Sequence, residues 1–265
     1  MSGIIESVAK ATKILRCFCQ NGELGITDLS NRLGYPKSVV HRLVSTLEKE
    51  GFLEQNTSTR KYRVGLAFFE LGSSYLRCHP GLDLITIALE EVSHQSGHTC
   101  YFGIRDGTAI VITHACEGTS PVRVKAVIGE RLPVHATAIG KILLADLSDQ
   151  QIDEIYRGTG LESVTGATLT DLSALKSEAR QAAVVGYATS IEELYQGTAS
   201  VATAVHGETG KVVGAICASF PMLMDVQDEI RRMRFLLKER GDRLSALPMI
   251  ESPLRDRRRW GNMTC

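Results

Sequence analysis

PKSVVHRLVSTLEKE, residues 36–50, has the period of an amphipathic helix. At 100° per residue, Val39, Val40, Leu43, Val44 and Leu47 fall within one arc. Lys37, Ser38, His41, Arg42, Ser45 and Lys49 fall on the opposite arc, with Glu48 at its margin. Pro36 stands where the helix begins, since its fixed φ suits a first turn and it has no N–H to leave unsatisfied. One face needs a hydrophobic partner and the other offers cations and hydroxyls.

The flanking segments supply the partner. Residues 5–20 place Val8, Ala11, Leu15 and Phe18 at helical spacing and end at Asn21-Gly22. A short second helix is expected from DLSNRL, with Thr27 as its N-cap and Gly34 as its stop. After Gly51 come FLEQ, the polar turn NTST and RKYRVG, which read as a hairpin whose returning strand carries Arg60, Lys61 and Arg63. Helix, short helix, turn, cationic helix and basic hairpin follow each other in the order of a winged helix-turn-helix. A helix with this polar face can enter a major groove, where Arg reads guanine edges and Ser reads either partner. A basic hairpin tip can grip the flanking phosphates. The expected DNA contacts are Thr27, Lys37, Ser38, Val39, His41 and Arg42, with Arg60 and Lys61 on the wing.

From Leu66, LAFFELGSSYLR predicts a connecting helix, and His79-Pro80-Gly81 marks a boundary, because Pro expels the preceding residue from helical geometry. Beyond it, Leu82, Ile85, Leu89 and Val92 predict a helix, and CYFGI and TAIVITHA predict a hairpin about Asp106-Gly107. VRVKAVI, residues 122–128, reads as a further strand. Helices are expected near 137–146, 149–157 and 171–185, with Ser148 and Gln151 as a capping box for the second. YATSI and SVATAVHGETGKVVGAICASF read as strands, the latter folded at Gly207–Gly210. Val226, Ile230, Met233, Leu237, Leu244 and Leu247 stripe a final long helix. Hairpin-paired strands mixed with helices give an α+β domain with a largely antiparallel sheet.

Composition narrows the function. A length of 265 residues suggests two domains, and 43% apolar with 23% charged residues is that of a folded chain. No apolar run is long enough to span a membrane, and the first residues lack the core of a signal peptide. Seven cysteines, an odd number, fit a reducing cytoplasm. The net charge of zero conceals 11 Lys+Arg against 7 Asp+Glu in residues 1–80 and 19 against 23 in the rest, a basic head on an acidic body.

Catalytic and metal chemistry find little support. HATAIGKI and HGETGKVV lack the earlier glycine of a phosphate-binding loop and follow their lysines with Ile142 and Val212 instead of Ser or Thr. Lys141 is thus expected to be structural at a helix start and Lys211 a hairpin-tip residue. There is no G-x-S-x-G elbow. His94, His98, Cys100, His114 and Cys116 have zinc-ligand chemistry, but Gly97 interrupts the helix between the histidines and no C-x2-C pair supports them. Cys17 and Cys19 point to different helix faces. No metal, cofactor or catalytic residue is expected. The competing reading is a metabolite-binding or enzymatic domain whose first 80 residues serve protein contacts. That reading predicts weak, salt-insensitive association with DNA.

Four stretches, spread from about Ile4 to Leu247, resemble the IclR family of bacterial transcriptional regulators. PKSVVHRLVSTLEKEGFLEQ resembles its recognition helix and following strand, and RKYRVGLAFFELG its wing and linker helix. RLPVHATAIGKILLA resembles its most distinctive effector-domain segment, and EELYQGTASVATAVHGETGKVVGAICASFP its last strand pair. The resemblance implies a winged helix-turn-helix (4–65), a linker helix (66–80) and a GAF-like effector-binding domain (81–250). A flexible basic tail (251–265) follows, expected to be a solvated end. It also implies a homodimer or homotetramer on palindromic double-stranded operator DNA, controlled by a small metabolite. The family's effector pocket maps onto Ala138, Ile139, Ser190, Ser200, Cys217 and Ser219. Ile139 and Cys217 are bulkier or more apolar than the family pattern and imply a tighter pocket.

Overall fold

The computed structural model describes residues 3–19, 22–77, 81–223 and 225–247. The chain divides between residues 78 and 79 into two compact units, each with its own hydrophobic core.

The first unit contains α1 (Glu6–Cys17), α2 (Ile26–Leu33), α3 (Lys37–Lys49), β1 (Leu53–Gln55), β2 (Tyr62–Val64) and α4 (Ala67–Arg77). Its core joins Ile14 of α1, Leu29 of α2, and Val40 and Val44 of α3, none of which is exposed, with Leu53 and Tyr62 of the two strands. Ile14, not Val8, leads the buried side of α1; Val8 is exposed. The start of α2 also corrects the sequence expectation. Gly25 is its N-cap, and the Gly25 amide donates to Asp28 Oδ2 at 2.9 Å. Thr27 lies inside the exposed first turn instead of capping it. Asp28, at N3, accepts the N-cap amide from within the helix, the reciprocal half of a capping box, and glycine brings no side-chain cap of its own. Gly34, at φ +67°, ends α2 as expected. Pro36 is the N-cap of α3, one position ahead of its first helical residue.

The second unit contains α5 (Leu82–Ser96), β3 (Thr99–Asp106), β4 (Ala109–Cys116), β5 (Arg131–Pro133), a 3-10 turn (Val134–Ala136), α6 (Ala138–Leu144), α7 (Asp149–Ile155), α8 (Leu172–Val185), β6 (Ala188–Ile191), β7 (Thr198–His206), β8 (Val212–Pro221) and α9 (Val226–Ser245). The strands form one antiparallel sheet in the order β5-β4-β3-β8-β7-β6. One face buries Tyr101, Ala202 and Cys217 against α6 and α8. The other buries Cys100, Val201 and Ala218 against Leu89 of α5 and Met233 and Leu237 of α9. The capping box of Ser148 and Gln151 opens α7 as read from the sequence.

Residues 122–128 are not a strand. Residues 129–133 take the outer edge of β4 over Ala109–Ile112: Ile112 N–H donates to Glu130 O at 3.0 Å, and Gly129 N–H donates to Ile112 O at 2.7 Å. The alternating β-formers of 122–128 join no ladder and form an irregular segment, because alternation alone does not make a strand. His79 and Pro80 of the expected boundary, and the whole 251–265 tail, lie outside the described residues.

Candidate functional site

On the first unit, the packing of Val40 and Val44 fixes which way α3 faces. Lys37, Ser38, His41 and Arg42 are exposed, and Val39 is half-buried at the edge of that face. Within the described residues, the side chains of Lys37, His41, Arg42, Arg60 and Lys61 make no ion pair or hydrogen bond to the rest of the unit. Free, solvated cations on a helix whose opposite side is locked in a core are what a phosphate-bearing partner needs.

The NTST turn read from the sequence is fixed by hydrogen bonds that the sequence does not disclose. The Asn56 side-chain oxygen accepts from Ser58 N at 2.9 Å and Thr59 N at 3.2 Å, closing the turn. Glu23, in the segment between α1 and α2, accepts from Asn56 Nδ2 at 2.8 Å and Thr59 Oγ1 at 2.9 Å. Those two hydrogen bonds hold the Glu23 carboxyl below its ordinary pKa. Arg60 adopts a left-handed φ of +58° directly after this anchor. Arg60 and Lys61 therefore belong to the turn and not to the returning strand, which begins at Tyr62; both are exposed. Arg63 differs, because it is paired with Glu54 across the hairpin.

On the second unit, a narrow cleft, partly open to solvent, lies between the sheet and the segment that leads into α6. Ser190, Ser200 and Ser219 are register partners across β6, β7 and β8, so they make a row of hydroxyls on one face. All three line the cleft. Tyr101 Oη lies 3.2 Å from Ser219 Oγ, and Ser190 Oγ donates to Ala136 O at 3.1 Å. Burial pushes the Tyr101 hydroxyl well up, which keeps it protonated and able to donate. Thr137, Val124, Ala126, Leu194 and Tyr195 complete much of the wall. The lining contains one lysine, Lys125, which is exposed.

Ala138, Ile139 and Cys217 are not among the lining residues. All three are buried in the core beneath it, Cys217 one row inward of Ser219 and facing Tyr101. Burial pushes the Cys217 thiol up to about 12. The chain turns tightly here. A Cβ on Gly140 would lie 1.8 Å from Val134 O, so only glycine lets α6 pack onto the preceding 3-10 turn. Thr137 Oγ1 caps that helix by accepting from Gly140 N at 3.1 Å.

Lys141 follows and is 1% exposed. Its ammonium donates to Glu193 Oε1 at 2.6 Å and Thr189 O at 3.1 Å, and pairs with Glu178 Oε2 at 2.6 Å. It clasps α6 to α8 and to the 192–197 loop, which brings Leu194 and Tyr195 to the cleft. Desolvation by burial raises the Glu193 carboxyl above its ordinary pKa, with Lys141 opposing and Glu178 adding to the shift. The zinc-like residues do not gather. Among the described residues no three potential ligands group together, and His98 Nε2 instead lies 2.8 Å from Glu229 Oε1.

Residues 7–57 match the model of the IclR helix-turn-helix domain, and residues 75–246 match that of the bacterial transcriptional regulator IclR C-terminal domain. The HTH-type transcriptional regulator XynR of Escherichia coli (strain K12) is 36% identical over 247 residues, covering 91% of this chain and 96% of that protein. A putative transcriptional regulator from Silicibacter sp. TM1040 superimposes with a TM-score of 0.82 at 27% identity, over 93% of this chain and 98% of that one. A homologue from Microbacterium hydrocarbonoxydans, solved in complex with 4-hydroxybenzoate, shares the fold at a TM-score of 0.76 and 23% identity, over 90% and 97% of the two chains.

Proposed function

The chain belongs to the IclR family of bacterial transcriptional regulators, with a DNA-binding helix-turn-helix domain and an effector-binding domain, and from that premise we infer how it reads its operator. Helix α3 enters the major groove, with Lys37, Ser38, His41 and Arg42 facing bases or phosphates and Val39 at the edge of the contact. Thr27, exposed on the first turn of α2, meets the backbone, and Arg60 and Lys61 grip the flanking phosphates. One observation carries this reading: the cations of α3 are solvated and unpaired while Val40 and Val44 behind them are wholly buried.

The protein works as a homo-oligomer whose protomers take half-sites about one turn, ~34 Å, or a multiple of it apart. Support comes from Leu66, Phe69 and Leu71 at the start of and along α4, which are exposed within their own unit and offer an apolar surface to a second copy. Functionally, residues 4–65 bind DNA, 66–80 connect and 81–250 sense. The effector is a small organic metabolite held in the cleft by the row of Ser190, Ser200 and Ser219 together with Tyr101. Ala138, Ile139 and Cys217 shape that row from beneath. Binding shifts the balance between oligomer geometries with a coupling of ~1–3 kcal/mol. The protein is a cytoplasmic regulator without catalytic activity, since its cleft serves recognition. Among the described residues no helix is long and apolar enough to cross a membrane.

A mobility-shift titration on the DNA upstream of the chain's own gene tests the first part. Affinity is expected to fall steeply with salt, because neutralised phosphates release their counterions; a salt-insensitive association would overturn it. Ser219→Trp tests the second. It is expected to abolish stabilisation by small catabolic acids in a thermal-shift screen while operator binding persists. Undiminished stabilisation in that variant would remove the cleft from consideration.

A further inference from the structure

Two cysteines that the regulator's function leaves unused face each other in the sheet. Cys100, at the start of β3, and Cys116, at the end of β4, are register partners in the antiparallel pair. Directly opposed residues carry their side chains on one face with Cα atoms about 4.5–5.5 Å apart. That span falls inside the roughly 4.4–6.8 Å that disulfides require. The opposition is held from both sides. Tyr101 pairs with Ala115 next along the ladder. Beyond the pair, Gly118 N–H donates to Thr99 Oγ1 at 3.1 Å, and Ser120 N–H donates to Gly97 O at 3.2 Å. Neither thiol is in a disulfide; Cys100 Sγ lies 3.7 Å from His98 O and Cys116 Sγ 3.9 Å from Glu117 O. The face they share is the one packed against α5 and α9, away from the cleft. Access separates them: Cys100 is fully buried and Cys116 half-buried.

We propose that Cys100 and Cys116 form a reversible disulfide when the protein meets hydrogen peroxide, so that the root of the β3–β4 pair is a thiol-modification site. Cys116, the accessible member, reacts first. Its thiolate attacks one peroxide oxygen, an S–O bond forms, the O–O bond breaks and hydroxide leaves, taking up the proton that the Cys116 thiol released on ionising to become water, which gives a sulfenic acid. The Cys100 sulfur then attacks the Cys116 sulfur; the S–S bond forms, the S–O bond breaks, and the Cys100 proton departs with hydroxide as a second water. The sulfur pair loses two electrons and the peroxide is reduced to two waters. Burial pushes the Cys100 thiol up, which suits it to the resolving role and not to the first attack. A dithiol reverses the bridge by exchange. The bond pins the point at which β4 passes into residues 117–130, the segment that supplies Val124 and Ala126 to the cleft wall.

The test uses full-length protein with Cys78→Ser, so that the tryptic peptide 78–105 holds only Cys100 and peptide 106–123 only Cys116. Folded protein is treated with hydrogen peroxide, alkylated, unfolded and mapped without reduction. The expected result is one cross-linked species joining those two peptides, lighter by two hydrogens and separated by dithiothreitol. Cys116→Ser should leave the Cys100 thiol intact after the same treatment, and Cys100→Ala should leave a sulfenic acid on Cys116 that dimedone traps. Three results would each overturn the proposal: sulfinic acid on Cys116 beside an unreacted Cys100, bridges to other cysteines, or equal oxidation of Cys100 in Cys116→Ser.

Discussion

Helices α3 and α6 both carry lysine, and the chain uses the charge in opposite ways. Lys37 of α3 stands in water beside Arg42 and His41, with no acidic side chain of its own unit to neutralise it. Lys141 of α6 is sealed from water and answered by two carboxylates and a carbonyl. An unanswered cation on a surface costs little, since water solvates it, and it stays available to a partner. An ammonium in a core costs several kcal/mol unless its hydrogen bonds are met, so it is committed to the fold. Residue type does not separate the two, because both are lysines carried by helices. What distinguishes them is what surrounds each one in three dimensions.

The largest expected effect probes the committed charge. Lys141→Met keeps the side-chain length but leaves Glu193 buried without its cation, and should lower folding stability by about 3–5 kcal/mol in a denaturant titration. Adding Glu193→Gln should restore part of that loss, because the orphaned charge is then gone. The pH dependence has a definite sign. Burial raises the Glu193 pKa in the folded state, so the folded protein binds that proton more tightly than the unfolded chain does. Its contribution is present below the ordinary carboxylate pKa and is lost as pH rises through the raised one. Glu193→Gln should therefore flatten the fall in stability over that window. If Lys141→Met proved no more damaging than Lys37→Ala, the distinction between the two helices would fail.

The same contrast explains what could be read from the sequence. The α3 arc was legible because one helix period carries both its core contacts and its free face. The hairpin about Gly107 was legible for the same local reason, as were the Ser148–Gln151 capping box and the stripe of α9. The clasp at Lys141 was not, since Glu178 and Glu193 lie far along the chain and only the fold brings them to one ammonium. Residues 122–128 alternate like a strand, yet a strand also needs a partner, and here residues 129–133 are the ones that pair with β4, over Ala109–Ile112. Within the cleft, the serines of β6, β7 and β8 were placed on its wall, whereas Ala138, Ile139 and Cys217 lie one layer deeper. Proximity in sequence to a wall residue does not say which row of a sheet meets the cavity. The bonding of Glu23 to Asn56 and Thr59 is not legible, because a surface glutamate and a polar turn look alike whether or not they are bonded together.

The next effect in size tests the free charge. Arg42→Ala should weaken operator binding by about 1–3 kcal/mol and relax selectivity at one base pair. Its stability should stay within about 0.5 kcal/mol of the parent, because nothing in the unit leans on its side chain. Titration against operators changed one base pair at a time measures both. Equal loss on every sequence would assign Arg42 to a phosphate, and a large loss of stability would place it with Lys141 after all.

The smallest effect separates the wing from the helix. Lys61 is exposed on a turn anchored through Asn56 and Thr59 to Glu23, and in the proposed binding mode it meets a phosphate. A contact to one phosphate releases about one counterion. Lys61→Ala should therefore make the dependence of log affinity on log salt shallower by ~1, with every operator variant weakened alike. Glu23→Gln keeps Lys61 but removes the charged acceptor that fixes the turn. It should weaken binding through loss of position, while the salt slope stays near that of the parent, since no cation has been removed. If the two variants gave the same slope, Glu23 would act through its charge and not by holding the wing. The wing would then share with the Lys141 clasp the dependence on a specific charge that distinguishes Lys141 from Lys37.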